Sequence, residues 1–498
     1  MKNNYRNATY NAIGFIFPVV VALITTAYIV RKLTPEIYGI YVLAISLMGM
    51  MSFLDLGFGQ GIVKFVSHYE ATGDYEKINS ILSASLGIFV AMGLLGFLVI
   101  FSLSGVVAQR VFHLSGERFA LGSTALKVVA FGFFIRMVAA VFSNVPKAVQ
   151  RYDISVKIQN AVSFCSTIST VGLLYFGKGL TAILVSQALF EMLSLIMYYR
   201  ASQKVLPTLG IRIRFEKAVF REISGFSFYT ALNGIMGNLV FRLDKMIIGA
   251  FLGMEAVTYY QVPFMIVQMA NGFISSVTQS LFPAVSSIQA LGDKERLRRL
   301  FLKSARYINA AALVTAVLLI MLGRTFLSLW MGNEFANKSA FIIPVLSVVL
   351  FINSISLTGY WFFNGMGKAK INFISALVGA SCYLVAAMGL VPRFGLYGAA
   401  YAFAFVLVPF PVYFKILLKI TGVRHGIFWR SLVKSAAVIS LALSIKSIIK
   451  IPVDIKWFVL DALLAMTFSV LLSYLLRIIE IKDILELKDK LKLLGARA

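Results

Sequence analysis

Apolar stretches of about eighteen residues or more, with few or no charges, recur along the whole chain, as in IGFIFPVVVALITTAYIV (13–30) and VLDALLAMTFSVLLSYLL (459–476). About twenty such residues cross the ~30 Å hydrocarbon layer of a bilayer as a helix. In lipid no water can satisfy backbone N–H and C=O groups, so runs of this length must satisfy themselves as helices. The pattern predicts an all-α integral membrane protein with about 14 transmembrane helices between residues 9 and 476. Only 14% of the residues are charged, against about 25% in soluble domains.

The charge that is present is one-sided: 47 Lys and Arg against 21 Asp and Glu, a net of +26. In a soluble protein this would suggest nucleic acid. Here the cations fall between apolar runs, where they act as topology signals and contacts to anionic lipid, and no nucleic-acid partner is expected. Most of them lie on the side shared with the N-terminus. That places both termini in the cytoplasm and the protein in the cytoplasmic membrane, with Lys2 and Arg6 preceding an uncleaved first span. Cys165 and Cys382 both sit in apolar segments, and His68, His113 and His425 are scattered, so neither a disulfide framework nor a metal site is expected. The basic segment LGDKERLRRLFLKSARY (291–307) reads as an amphipathic inner connection, and the tail IKDILELKDKLKLL (481–494) as a surface helix along the inner interface.

The chain repeats itself. VSHYEATGDYEKI (66–78) aligns without gaps on VSSIQALGDKERL (285–297), 219 residues later. The same offset pairs Leu33 with Leu252, Glu36 with Glu255 and Tyr41 with Tyr260. Each half then holds six spans starting on the same side, the pattern of parallel repeats with a substrate path at their interface. The expected domains are two six-helix bundles, 1–218 and 219–420, then helices 13 and 14 over 421–478 and a cytoplasmic tail over 479–498.

Three segments carry a resemblance to a known family. SFLDLGFGQGIVKFVSHYEATGDYEKINSIL (52–82), AVQRYDISVKIQN (148–160) and RLDKMIIGAFLGMEAVTYYQVPFMI (242–266) resemble the corresponding segments of Wzx-type oligosaccharide flippases. These belong to the multidrug, oligosaccharidyl-lipid and polysaccharide exporter superfamily. The resemblance implies a V-shaped pair of bundles that alternates between inward-open and outward-open states. It also implies a polyprenyl-pyrophosphate-linked glycan as substrate, membrane lipids as surroundings and polysaccharide polymerisation proteins as partners. It transfers no binding residue, because cavity residues differ widely within the family. A flippase for lipid-linked peptidoglycan precursors and a multidrug exporter of the same superfamily are the alternatives. A glycan polymerase or ligase would need a sizeable outer loop with an acid, a base and a nucleophile, and none is evident, so an enzyme is not expected.

The charges inside spans are the candidate site. A cation at the centre of a membrane helix costs at least about 2.5–3.5 kcal/mol, so it should face water or a partner. Arg136 lies in the middle of the fourth span, in VVAFGFFIRMVAAVFSNV. It can contact a substrate phosphate, or pair with Glu191 at similar depth in the sixth span. Arg242 and Lys245 are three apart on the seventh span and share a face, which suits an anionic head group. Asp244 points elsewhere and reads as a helix–helix contact. At the 219-residue offset these three positions are Leu23, Thr25 and Thr26, so the charges belong to one half only. Asp55, in FLDLGFGQG, can bind a coupling proton or sodium ion, or cap backbone loosened by Gly57 and Gly59. No other cofactor is expected. Lys127 and Asp461, near span ends, read as interfacial.

Overall fold

A computed structural model describes residues 19–55, 58–207, 210, 242–279, 281–448 and 455–475. The N-terminal Lys2 and Arg6, Gly57, the first part of the seventh span, the 218/219 boundary and the 481–494 tail lie outside the described residues.

Every regular element among the described residues is a helix. The first unit contains α1 (19–33), α2 (Pro35–Met50), a 3₁₀ turn (Met51–Asp55), α3 (Phe58–Thr72), α4 (Tyr75–Val106), α5 (Gly116–Ala148), α6 (Tyr152–Tyr175), α7 (Leu180–Val205) and α8 (242–252). Then come α9 (Met254–Thr278), α10 (Leu281–Ala290), α11 (Lys294–Met331), α12 (Asn333–Ser339), α13 (Ile342–Gly365), α14 (Ala369–Phe403), α15 (Phe410–Thr421), α16 (His425–Ile448) and α17 (Ile455–Leu475). Contacts divide the chain into compact units over Met1–Thr258 and Tyr259–Ala498.

Among the described residues, seven helical stretches are long and apolar enough to cross a membrane. One of them, Ala369–Thr421, is broken at Gly395, where the backbone leaves helical geometry at φ 59°, ψ −136°. The Gly398 backbone beyond the break packs on the Leu390 carbonyl before it, so this stretch folds as a tight helical hairpin. α11 is 38 residues long, about 57 Å at helical rise and nearly twice the hydrocarbon thickness. Its basic first turns belong to the segment expected as an amphipathic inner connection. They run without a break into the apolar span, because no Gly or Pro interrupts residues 294–322.

The sequence repeat has a counterpart in the backbone. Left-handed residues recur 219 positions apart: Thr34 (φ 70°) with Gly253 (φ 83°), Gly73 (74°) with Gly292 (67°), and His113 (53°) with Gly332 (100°). Asp74 and Asp293 cap the helices that follow. Their side chains accept hydrogen bonds from Lys77 N–H at 3.1 Å and Arg296 N–H at 2.8 Å. In both cases a glycine in the left-handed region frees the chain to turn, and an aspartate then satisfies an orphan N–H of the new helix. α4 and α11 begin one residue beyond these caps, also 219 positions apart.

In the first unit α5 is the central helix, packed against α2, α3, α4, α6 and α7. α2 lies close against the start of α9 and against α8: a Cβ at Gly39 would overlap the Met254 carbonyl, and one at Gly49 would overlap the Arg242 guanidinium. In the second unit α11 holds the core with α13, α16 and α17. The spans expected as an appendix outside the repeat are thus tied to this helix. Asn309 Nδ2 on α11 donates to Ser431 Oγ at 2.9 Å and to Ser435 Oγ at 3.1 Å on α16.

Candidate functional site: a charged cavity in the first unit

α2, α5, α6 and α7 enclose a cavity of about 640 Å³, within the ~300–1,000 Å³ range of ligand sites. Its walls follow from helical spacing. Gly132, Arg136, Ala140, Ser143 and Lys147 recur every three or four residues along α5, so they form one face. Gln159, Ser163 and Ser166 do the same on α6, as do Leu184, Gln187, Glu191, Ser194 and Tyr198 on α7. Polar side chains are costly in an apolar span unless that face is wet or paired. The stripes on three helices converge on one cavity.

Four charges line it. Arg136, on α5, is solvent-exposed within the first unit. Glu191, on α7, stands close enough to feel its field. Among the described residues the two form no hydrogen bond or ion pair, so the pairing expected as the structural role of Arg136 is not made. Asp55 and Lys147 face each other electrostatically at another part of the wall. Lys147 Nζ donates to Asn144 Oδ1 at 3.2 Å. Asp55 Oδ1 accepts from Gly59 N–H at 2.9 Å and so holds the start of α3 after the 3₁₀ turn. This hydrogen bond is the capping role expected of Asp55. Gln187 Nε2 donates to Tyr41 Oη at 2.9 Å and ties α7 to α2 across the cavity.

The wall carries two cations and two carboxylates. One expectation is changed by the geometry nearby. Arg242 and Lys245 were expected to present a shared cationic face, with Asp244 turned away. Instead Lys245 is buried with Asp244, its Nζ 3.0 and 3.2 Å from the carboxylate oxygens, and the two side chains are only 7% and 1% exposed. A buried ammonium needs a counter-charge more than it needs helical phase, and the flexible lysine stem reaches its neighbour. Arg242 remains half-buried over Gly49 and within electrostatic reach of Arg136 on the cavity wall.

Sequence reasoning missed Lys147, Gln187, Asn144, Gln159 and Tyr198. Their signal was the three-to-four-residue recurrence of polar side chains along α5, α6 and α7. Outside the spans, Arg151 and Asp153 in the α5–α6 turn form a two-point ion pair at 2.9 and 3.2 Å, and the carboxylate raises the guanidinium above its ordinary pKa. No cluster of three or more metal-ligating side chains occurs among the described residues.

The offset is 219 residues as far as His113 and Gly332 and falls to 217 at the next turn, where Gln150 (φ 59°) matches Gly367 (φ 72°). At the first offset Asp55 corresponds to Ile274, which is buried in the second unit's main apolar cluster, and at the second Lys147 corresponds to Asn364.

Known proteins give the family. Residues 28–340 match the family described as "Polysaccharide biosynthesis protein". The "Putative O-antigen transporter" of Shigella flexneri is 21% identical over 397 residues, covering 79% of this chain and 93% of its own. Among solved structures, "Lipid II flippase MurJ, inward closed conformation" matches with a TM-score of 0.76 at 12% identity, over 94% of this chain and 98% of that one. An inward-facing "multidrug resistance MATE family transporter of the MOP superfamily" matches with a TM-score of 0.69 at 12% identity, over 82% and 95%. These structural likenesses carry the fold, a multi-pass helical membrane architecture. The family match spans more than half of the sequence, and the chain belongs to the polysaccharide biosynthesis protein family.

Proposed function

We propose that this protein moves a polyprenyl-pyrophosphate-linked oligosaccharide from the inner to the outer leaflet of the cytoplasmic membrane, for surface polysaccharide synthesis. It does so by alternating access of two six-span bundles, within 14 spans and with both termini cytoplasmic. The observation that carries this reading is the polar cavity of the first unit with Arg136 exposed in it. Moving a glycan head unaided through hydrocarbon would cost roughly 4–8 kcal/mol for each unpaired hydroxyl. The hydroxyls, amides and carboxylates of the cavity wall offer replacements for that lost water. Arg136 and Arg242 supply the attraction for the pyrophosphate, as forked donors suited to its oxygens.

Two negative charges moving outward across an inside-negative membrane gain about 4–5 kcal/mol per 100 mV, which favours release outside. Resetting the carrier then requires a second ion. Asp55 is the residue we assign to it: one carboxylate oxygen is committed to Gly59, and the other is left for a proton or sodium ion. A lipid-linked peptidoglycan precursor carries the same polyprenyl pyrophosphate, and the fold likeness to a Lipid II flippase keeps that substrate as the second reading. The family match favours a polysaccharide precursor.

Transport of a lipid-linked oligosaccharide in proteoliposomes tests the proposal. Arg136→Ala and Arg242→Ala should each lower the initial rate by tenfold or more, about 1.4 kcal/mol for one charge-assisted contact. Protein levels in the membrane should not change. Unaltered transport in both variants would remove these residues from the site.

A further inference from the structure

A second opening lies on the exposed side of the same helices. α4, α5 and α7 form an apolar groove of about 390 Å³, lined by Phe97, Phe101, Phe131, Leu189 and Met192, with Lys127 its one charged side chain. Its walls are open to the protein's exterior: Leu189 is 62% exposed and Phe131 49%. Lys127 Nζ sits 5.6 Å from the centroid of the Phe101 ring, so the ammonium is held at the groove by its aromatic wall.

The groove and the charged cavity touch. Val128 and Ala188 line both. The partition there is thin because α5 presents Gly132 to Ala188, and even an added Cβ at Gly132 would lie 3.9 Å from the Ala188 Cβ. Lys127 lies nine residues before Arg136 on the same helix, about 13 Å along its axis. One helix therefore sets a polar compartment with a central arginine beside an apolar trough with a single cation. A purely polar ligand would use only the first compartment and an ordinary apolar ligand only the second. An amphiphile with an anionic junction between head and tail uses both.

We infer that this groove seats the isoprenoid chain of the lipid-linked substrate while its head occupies the adjoining cavity, with Lys127 beside the chain. The inference rests on the proposed function and adds the place of the tail. Aromatic faces and a Met side chain suit a methyl-branched, unsaturated chain, since they pack against irregular apolar surfaces without fixed register.

The test uses the full-length protein in nanodiscs, with a polyprenyl monophosphate that carries a photoreactive diazirine on the isoprene units nearest the phosphate. Irradiation should label α4 and α7 peptides containing Phe97, Phe101, Leu189 and Met192. Excess unlabelled polyprenyl phosphate should compete, and an equal amount of phosphatidylglycerol should not. Leu189→Trp, which fills the groove, should lower labelling about tenfold, whereas Leu189→Ala, which widens it, should retain labelling. Both variants should keep the wild-type elution profile. Labelling spread evenly over all apolar helix faces, or equal competition by phosphatidylglycerol, would overturn the groove assignment. Transport of the lipid-linked oligosaccharide is read in parallel. Sensitivity to Arg136→Ala with diffuse labelling would sink the groove alone. Groove labelling without any transport of the glycolipid would sink the proposed function and leave a polyprenyl-phosphate site.

Discussion

Arg136 and Lys245 are both cations at membrane depth, and their surroundings separate them. Arg136 opens on a cavity and has no ion-pair partner among the described residues, whereas Lys245 is sealed against Asp244. Truncating one member of a buried pair leaves an uncompensated charge and typically costs about 3–5 kcal/mol, while replacing both is far milder. Lys245→Met should therefore lower the melting temperature strongly, and the Asp244→Asn/Lys245→Met double variant should recover most of it, as read by thermal denaturation in detergent. A double variant no more stable than the single one would refute the pairing. Asp55 permits a cleaner separation of roles. Asn keeps an oxygen for Gly59 N–H but carries no charge, so Asp55→Asn should keep the fold and lose dependence of transport on a proton or sodium gradient. Persisting dependence would leave Asp55 only its hydrogen bond to α3. The depth of Arg136 in an apolar run was readable directly. The bond between neighbours 244 and 245 was not, because helical phase alone says that adjacent residues diverge, and only burial makes a flexible lysine bend back to its neighbour.

At the scale of elements, the turn before each long helix was legible because its chemistry is local. Gly–Asp at 73–74 and at 292–293 prescribes a left-handed residue followed by a cap, and both occur. Removing the cap by Asp293→Ala should cost about 1 kcal/mol of local stability. Hydrogen exchange should speed at the first amides of α11 and be unchanged in its apolar span; unchanged exchange at Arg296 would contradict the cap. The extent of α11 was less legible. Its basic first turns and apolar remainder look like two objects in composition, yet nothing breaks the backbone between them. The polar stripes of α5, α6 and α7 were also missed, since each contains only isolated Ser, Gln or Asn whose common destination depends on how the helices pack.

Across the whole chain the repeat recurs in the turns, with left-handed residues at Thr34 and Gly253, Gly73 and Gly292, and His113 and Gly332, while Asp55 has an apolar counterpart in Ile274, buried in the second unit's cluster. The offset of 219 residues was visible in the sequence, and so was the restriction of charges to single positions. What sequence could not give was that the first unit surrounds a polar cavity with two cations and two carboxylates on its wall. The central claim is that this cavity receives the anionic glycan head. The most direct measurement is thiol labelling of Ala140→Cys by a water-soluble, membrane-impermeant reagent, with Cys165 and Cys382 replaced by Ser, in the presence and absence of a lipid-linked oligosaccharide. The account predicts rapid labelling that the glycolipid slows, with the protection lost when Arg136→Ala is added. A cysteine at 140 that resists the reagent, or reacts equally fast with and without the glycolipid, would contradict it.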